Sequence, residues 1–148
     1  SVFINKNTMP KLMSSIYITD GKGHKNLCLN ENNNLYMNGL EVFTFTSEKV
    51  PQAVKQLLKK AKLNIKDIGY FIFHQASKVV LQTIQQKLNI PNEKFYNNIE
   101  FTGNTVSSTI PIGLIDSVAK KKIPKNKPIL LMGFGVGYSL SGGIYKFD

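Results

Sequence analysis

Two uninterrupted apolar runs of strand length constrain this chain most: Ile68-Gly69-Tyr70-Phe71-Ile72-Phe73 and Pro128-Ile129-Leu130-Leu131-Met132. A strand with one solvated face alternates apolar and polar residues, whereas one that is apolar throughout reads as buried on both faces. Around these runs lie segments of helical period. Val50, Val54, Leu57, Leu58 and Ala61 share one helical face, and Val80, Leu81, Ile84 and Leu88 share another. Ile115, Val118 and Ala119 supply a third inward face. Strand and helix therefore alternate from residue 47 on, which predicts an α/β domain built around a buried sheet.

Turn and cap residues set the expected boundaries. Residues 15–19 alternate and read as a strand, while residues 20–34, with Asp20-Gly21, Gly23 and three consecutive asparagines, read as a loop. Val42 to Thr46 is ambiguous, since its alternation suggests a strand although a helical pattern follows at once. Ser47 is a candidate N-cap, with Pro51 in the first turn and a helix end near Leu63-Asn64. Ser77 can cap the next helix, which Asn89-Ile90-Pro91 stops. Phe95 to Asn98 reads as a short strand. A helix follows from about Ser108, with Pro111 in its first turn and Lys120 to Lys122 in its last, where the dipole favours cations. Gly133 to Gly137 reads as a tight turn, and Tyr138 to Phe147 as a closing strand kinked or bulged at Gly142-Gly143. No repeat or internal domain boundary is visible.

The 19 basic residues are all lysines, and the net charge is +10. Without arginine the chain lacks the bidentate fork typical of guanine and phosphate recognition, and no aromatic-interleaved basic stripe is present, so nucleic acid is not an expected partner. The lysine clusters at 59–62 and 120–127 read as solvated helix ends and loop, the alternative being a docking face for an acidic partner or a phosphate-bearing ligand. No apolar run has membrane-spanning length. Residues 1–6 carry no signal-peptide pattern, and a single cysteine, Cys28, points to a reducing, cytoplasmic setting. No metal or cofactor is expected.

Chemistry concentrates at two places. Phe73-His74-Gln75-Ala76-Ser77 puts His74 at the mouth of an apolar strand, and Thr102-Gly103-Asn104-Thr105 puts Asn104 in a glycine-flanked turn. Two neutral N–H donors aimed at one point can bind a developing oxyanion. A nucleophile is the missing partner. Cys28 lies in polar surroundings and reads as an incidental thiol, and His24 as an exposed loop residue. The glycine turn at 133–137 lacks the Lys-Ser/Thr ending of a phosphate loop.

The motifs His74-Gln75-Ala76-Ser77, Gly103-Asn104-Thr105-Val106-Ser107-Ser108 and Gly133-Phe134-Gly135-Val136-Gly137-Tyr138-Ser139, preceded by Leu35 to Phe43, occur in the order and spacing of a known family. Together they resemble the C-terminal half of a β-ketoacyl-acyl-carrier-protein synthase III, in the thiolase superfamily. The resemblance implies that residues 1–148 are a thiolase-like half-domain, a mixed sheet with helices on both faces, and that Val42 to Thr46 is helical. It implies a partner in the protein's own N-terminal half, which carries the nucleophilic cysteine, and a homodimer.

The implied reaction is a decarboxylative Claisen condensation of acyl-CoA with malonyl-acyl carrier protein in fatty-acid synthesis. His74 and Asn104 match the donors that stabilise the enolate. The backbone at Gly135 and Val136 matches the turn contributing to a second oxyanion hole, although Val136 stands where glycine is common. Ser77 and Lys78 fall where carrier protein or CoA is bound, but Ser77 replaces the usual Asn, and Val79 stands where the family has a basic residue. These departures motivate one alternative, an acyltransferase of a related branch in polysaccharide or secondary metabolism, and the basic surface motivates another, a non-catalytic half-domain that binds a partner. The chain alone is expected to be inactive in condensation.

Overall fold

A computed structural model describes residues 10–147. Residues 1–6, read above for the absence of a signal-peptide pattern, lie outside that range. Strand β1 (Lys11–Thr19) leads into a short 3-10 helix (Gly21–Asn26) and a hairpin of β2 (Leu27–Leu29) and β3 (Leu35–Met37). Then follow α1 (Gly39–Ala61), β4 (Tyr70–Phe73), α2 (Lys78–Leu88), the one-turn α3 (Ile99–Thr102), α4 (Thr109–Ala119), β5 (Ile129–Gly135) and β6 (Ser139–Lys146).

The main sheet has the order β1-β6-β5-β4. Only β4 and β5 are parallel, so the sheet is mixed. Successive residues of a strand point to opposite faces, which divides the core in two. Phe71, Phe73, Leu130 and Met132 face α1 and α2, packing on residues such as Val54, Leu57, Leu81 and Ile84. Tyr70, Ile72 and Ile129 face the other way, with Ile110 and Leu114 of α4 against them. Helices on both faces are what the double-sided strands required.

Helix α1 starts earlier than its residue pattern suggested. Asn38, not Ser47, is the N-cap, its side chain accepting the Glu41 N–H at 3.3 Å. Ser47 is buried within the helix, where its hydroxyl donates back to the Thr44 carbonyl at 3.1 Å, and Pro51 is accordingly an interior residue. Val42 to Thr46 is helical, as the resemblance implied. The helix ends at Ala61, with Lys62 left-handed at φ 56° and exposed Lys59 and Lys60 in the last turn.

Several other expectations are corrected. Residues 20–34 are not a plain loop: they carry the 3-10 helix and β2, and the Asn30 side chain holds the hairpin turn by accepting the N–H groups of Asn32 (3.0 Å) and Asn34 (2.9 Å). Phe95 to Asn98 is not a strand. A single parallel bridge joins Phe95 to Phe71 before the Gln75 side chain captures the Asn98 N–H at 3.0 Å and turns the chain into α3. β5 runs through Gly135 because it stays paired with β6 that far, so the turn is confined to Val136–Tyr138. Gly142 and Gly143 pair in register with Met132 and Leu131, and the irregularity lies in β1 between Leu12 and Ser14.

The largest correction concerns α4. Its buried residues are Thr109, Gly113 and Ser117, while Ile115 and Val118 are 58% and 54% exposed and Ala119 is also exposed. Gly113 lies against Ile72 and Tyr96, where a Cβ would come within 2.9 Å of both side chains, so the small face is the one that fits the sheet. Lys120 is the C-cap, and Lys121 and Lys122 lie just beyond the helix.

Candidate active site

His74 immediately follows β4, and its backbone N–H donates to the Met132 carbonyl at 2.9 Å, extending the β4–β5 pairing by one residue. The side chain is thereby carried to the carboxyl end of two parallel strands, where α/β sheets present their sites. The half-buried imidazole packs edge-on to Phe134, with centroids 5.3 Å apart. Its Nδ1 lies 2.7 Å from the Thr109 hydroxyl. Burial holds the imidazole below the ordinary histidine pKa, and the nearby Val106 backbone, which favours the protonated ring, opposes this in part.

Gln75, only 1% exposed, ties the neighbourhood together. Its amide nitrogen donates to the Phe73 carbonyl at 2.9 Å and to the Tyr96 carbonyl at 3.4 Å, and its oxygen accepts from Asn98. Ser77 caps α2, its hydroxyl oxygen accepting the Val80 N–H at 3.3 Å.

Asn104 follows Gly103, whose positive φ of 65° suits glycine. The Asn104 side-chain oxygen accepts the Val106 N–H at 2.9 Å, and its nitrogen donates to the Ala76 carbonyl at 3.2 Å. With the oxygen engaged, the amide cannot flip without losing both bonds, and one N–H remains to donate. Val106 adopts φ 54°, a left-handed conformation that costs a β-branched residue about 1–3 kcal/mol. The strained peptide links the site: its N–H orients Asn104, and its carbonyl accepts the backbone N–H of Thr109, whose hydroxyl oxygen lies 2.9 Å from it.

His74, Asn104 and Gly135 line two neighbouring cavities of 410 and 600 Å³. Leu27 and Met37 of the hairpin also line both. Ser77 lines the smaller cavity and Val136 the larger. Lys78 lines neither; it pairs on the surface with Glu100 of α3 at 2.5 Å. Val79 is 60% exposed beside it. Cys28 belongs to β2 rather than a loop, its Sγ 3.6 Å from the Lys25 carbonyl, and it lines neither cavity. His24 is exposed, in the 3-10 helix. Thr109 and the orienting bonds of Gln75 carried no recognisable sequence signal beyond their nearness to the two motifs. Among the described residues no group of His, Cys, Asp and Glu could hold a metal ion, and no helix is long and apolar enough to cross a membrane.

Residues 58–147 match the family model for the C-terminal domain of 3-oxoacyl-[acyl-carrier-protein] synthase III. The chain belongs to this family. The β-ketoacyl-[acyl-carrier-protein] synthase III of Listeria welshimeri is 40% identical over 129 residues, 87% of this chain and 41% of the relative. In three dimensions, the synthase III of Aquifex aeolicus superposes with a TM-score of 0.88 at 25% identity, covering 93% of this chain and 44% of that one. The Thermus thermophilus synthase III gives 0.86 at 28% identity, covering 99% and 48%. The chain has the thiolase-like α/β fold of synthase III and spans about two fifths of the length of the curated relatives it matches.

Proposed function

We propose that residues 1–148 form the C-terminal domain of a 3-oxoacyl-[acyl-carrier-protein] synthase III, whose intact form condenses an acyl-CoA primer with malonyl-acyl carrier protein in fatty-acid synthesis. The observation that carries this reading is that His74 and Asn104 line one cavity with their donors pre-oriented by Thr109, Ala76 and Val106. In the proposed step the malonyl carbon–carboxylate bond breaks, carbon dioxide leaves, and the electron pair passes into the thioester as an enolate. His74 and the free N–H of Asn104 donate to the enolate oxygen. The carbanion then attacks the acyl group held on a cysteine of the N-terminal half, and the thiolate departs.

Donors fixed before charge develops need no reorganisation during the step, which is why they accelerate it. The backbone at Gly135 and Val136 borders the second oxyanion position, and Ser77 with Lys78 frames the entrance for the phosphopantetheine arm of CoA or carrier protein. The outward face of α4, with Ile115 and Val118, receives the N-terminal half. A homodimeric, cytoplasmic enzyme completes the reading.

The test is a condensation assay on the intact enzyme with acyl-CoA and malonyl-carrier protein. His74→Ala and Asn104→Ala are each expected to lower kcat roughly 100- to 1000-fold. The 148-residue chain alone is expected to be inactive. A normal rate from that chain, or acyl transfer by the intact enzyme without need of malonyl substrate, refutes the proposal.

A further inference from the structure

Thr109 opens α4 and is 2% exposed. Its hydroxyl oxygen lies 2.7 Å from His74 Nδ1 and 2.9 Å from the Val106 carbonyl. A hydroxyl has one proton to donate. Given to Val106, it leaves Nδ1 to carry the ring proton and donate to the hydroxyl oxygen, and Nε2 is then bare. Given to Nδ1, it puts the ring proton on Nε2.

Two observations favour the second arrangement. Both contacts of the hydroxyl are within reach of a donated O–H, and the one to Nδ1, at 2.7 Å against 2.9 Å to the Val106 carbonyl, is the shorter. The Val106 carbonyl, in turn, already accepts the Thr109 backbone N–H and is satisfied without the side chain. We infer that Thr109 is a positioning residue: its hydroxyl donates to His74 Nδ1 and so holds the neutral imidazole as the Nε2–H tautomer, with that N–H available to the cavity.

The inference deepens the proposed function and rests on it for its consequence, because only an Nε2–H imidazole can donate to an enolate oxygen from the nitrogen that Thr109 leaves free. Burial of the ring, which disfavours the imidazolium form, makes the choice of tautomer matter. Without the hydroxyl, the neutral ring gains most by moving its proton to Nδ1 and donating to the Val106 backbone carbonyl. His74 would keep its place and lose its function as a donor.

The experiment is nitrogen NMR of the 148-residue chain labelled with 15N-histidine. The chain has two histidines, so His24→Gln assigns the His74 signals. Above the titration range, His74 is expected to give a protonated Nε2 and an unprotonated Nδ1. Thr109→Val, which keeps the size and removes the hydroxyl, is expected to move the proton to Nδ1, and Thr109→Ser to return it to Nε2. In the intact enzyme, Thr109→Val is expected to lose about 100- to 1000-fold in kcat, the cost of one lost donor, with recovery in Thr109→Ser.

An Nδ1–H tautomer in the unmodified protein overturns the inference, whether or not the valine variant folds. So does an unchanged Nε2–H tautomer in a folded Thr109→Val variant. The tautomer is read without any turnover. If the signals behave as expected while the intact enzyme shows no malonyl-dependent condensation, the functional reading falls and the role of Thr109 stands.

Discussion

Replacing Gln75 with leucine tests how the two donor segments are held in register. Leucine has nearly the same volume, so the packing of this 1%-exposed site changes little and the loss is one of hydrogen bonds. Three contacts go: to the Phe73 carbonyl at 2.9 Å, from the Asn98 N–H at 3.0 Å, and a longer one to the Tyr96 carbonyl at 3.4 Å. A buried polar group left without its partner costs about 1–3 kcal/mol, and the two short bonds each strand one such group. Discounting for the 3.4 Å contact and for partial rescue of the half-buried Asn98 N–H by water, the expected loss is about 2–4 kcal/mol. Urea unfolding followed by circular dichroism reads this directly. With a typical slope of about 2 kcal/mol per molar urea, the midpoint should fall by roughly 1–2 M. In the intact enzyme the same variant should lower kcat, since the Asn98 bond anchors the turn that leads to Asn104. A midpoint shift under about 0.3 M, well inside the scale set by that slope, would refute the view that Gln75 joins the two segments.

A methyl added at Gly23 would overlap the ring of Tyr138, which is already stacked on Phe45 with centroids 4.3 Å apart, so Gly23→Ala should cost about 1–3 kcal/mol in the same urea assay. His74 titrates below the ordinary histidine value of 6.5 because it is buried, so the unfolded chain takes up its proton first as pH falls. Its contribution to stability is therefore present above pH 6.5 and is lost as pH falls through the lowered folded value; unfolding midpoints at pH 7.5 and 5 should differ more for the unmodified protein than for His74→Gln. Cys28 lines neither cavity, so Cys28→Ser should leave the condensation rate of the intact enzyme unchanged, and a large loss would return that thiol to consideration as a nucleophile.

The readable parts of this chain were those with strong local determinants. An apolar run ending in His-Gln-Ala-Ser could only be a buried strand delivering a polar side chain to its end, and Ser77 announced the next helix as a cap. The hairpin at residues 27–37 was hidden because two three-residue strands offer too few positions for alternation, and the hairpin's turn depends on one side chain, Asn30. Asn38 is hidden as the cap of α1 because Val42 to Thr46 alternates, and five residues cannot separate the two periods. The bond between His74 and Thr109 spans 35 positions and leaves no periodic trace. The orientation of α4 was misread for a deeper reason. Periodicity assumes that a helix has one apolar side and that this side faces the nearest sheet, whereas here Gly113 and Ser117 face the sheet with Ile110 and Leu114 beside them, and the apolar Ile115 and Val118 face away.

That inversion bears on which substitutions the protein can accumulate. Helices α1 and α2 each keep a solvated side on which most changes pass unnoticed. In the proposed intact enzyme α4 has no such side: Gly113 and Ser117 are held small by the sheet, and Ile115 and Val118 are held apolar by the N-terminal half. A saturation scan of the intact enzyme would find α4 intolerant around its whole circumference, whereas the same scan on the 148-residue chain would find only one intolerant face. The difference between the two scans would outline, residue by residue, the footprint of the proposed N-terminal half.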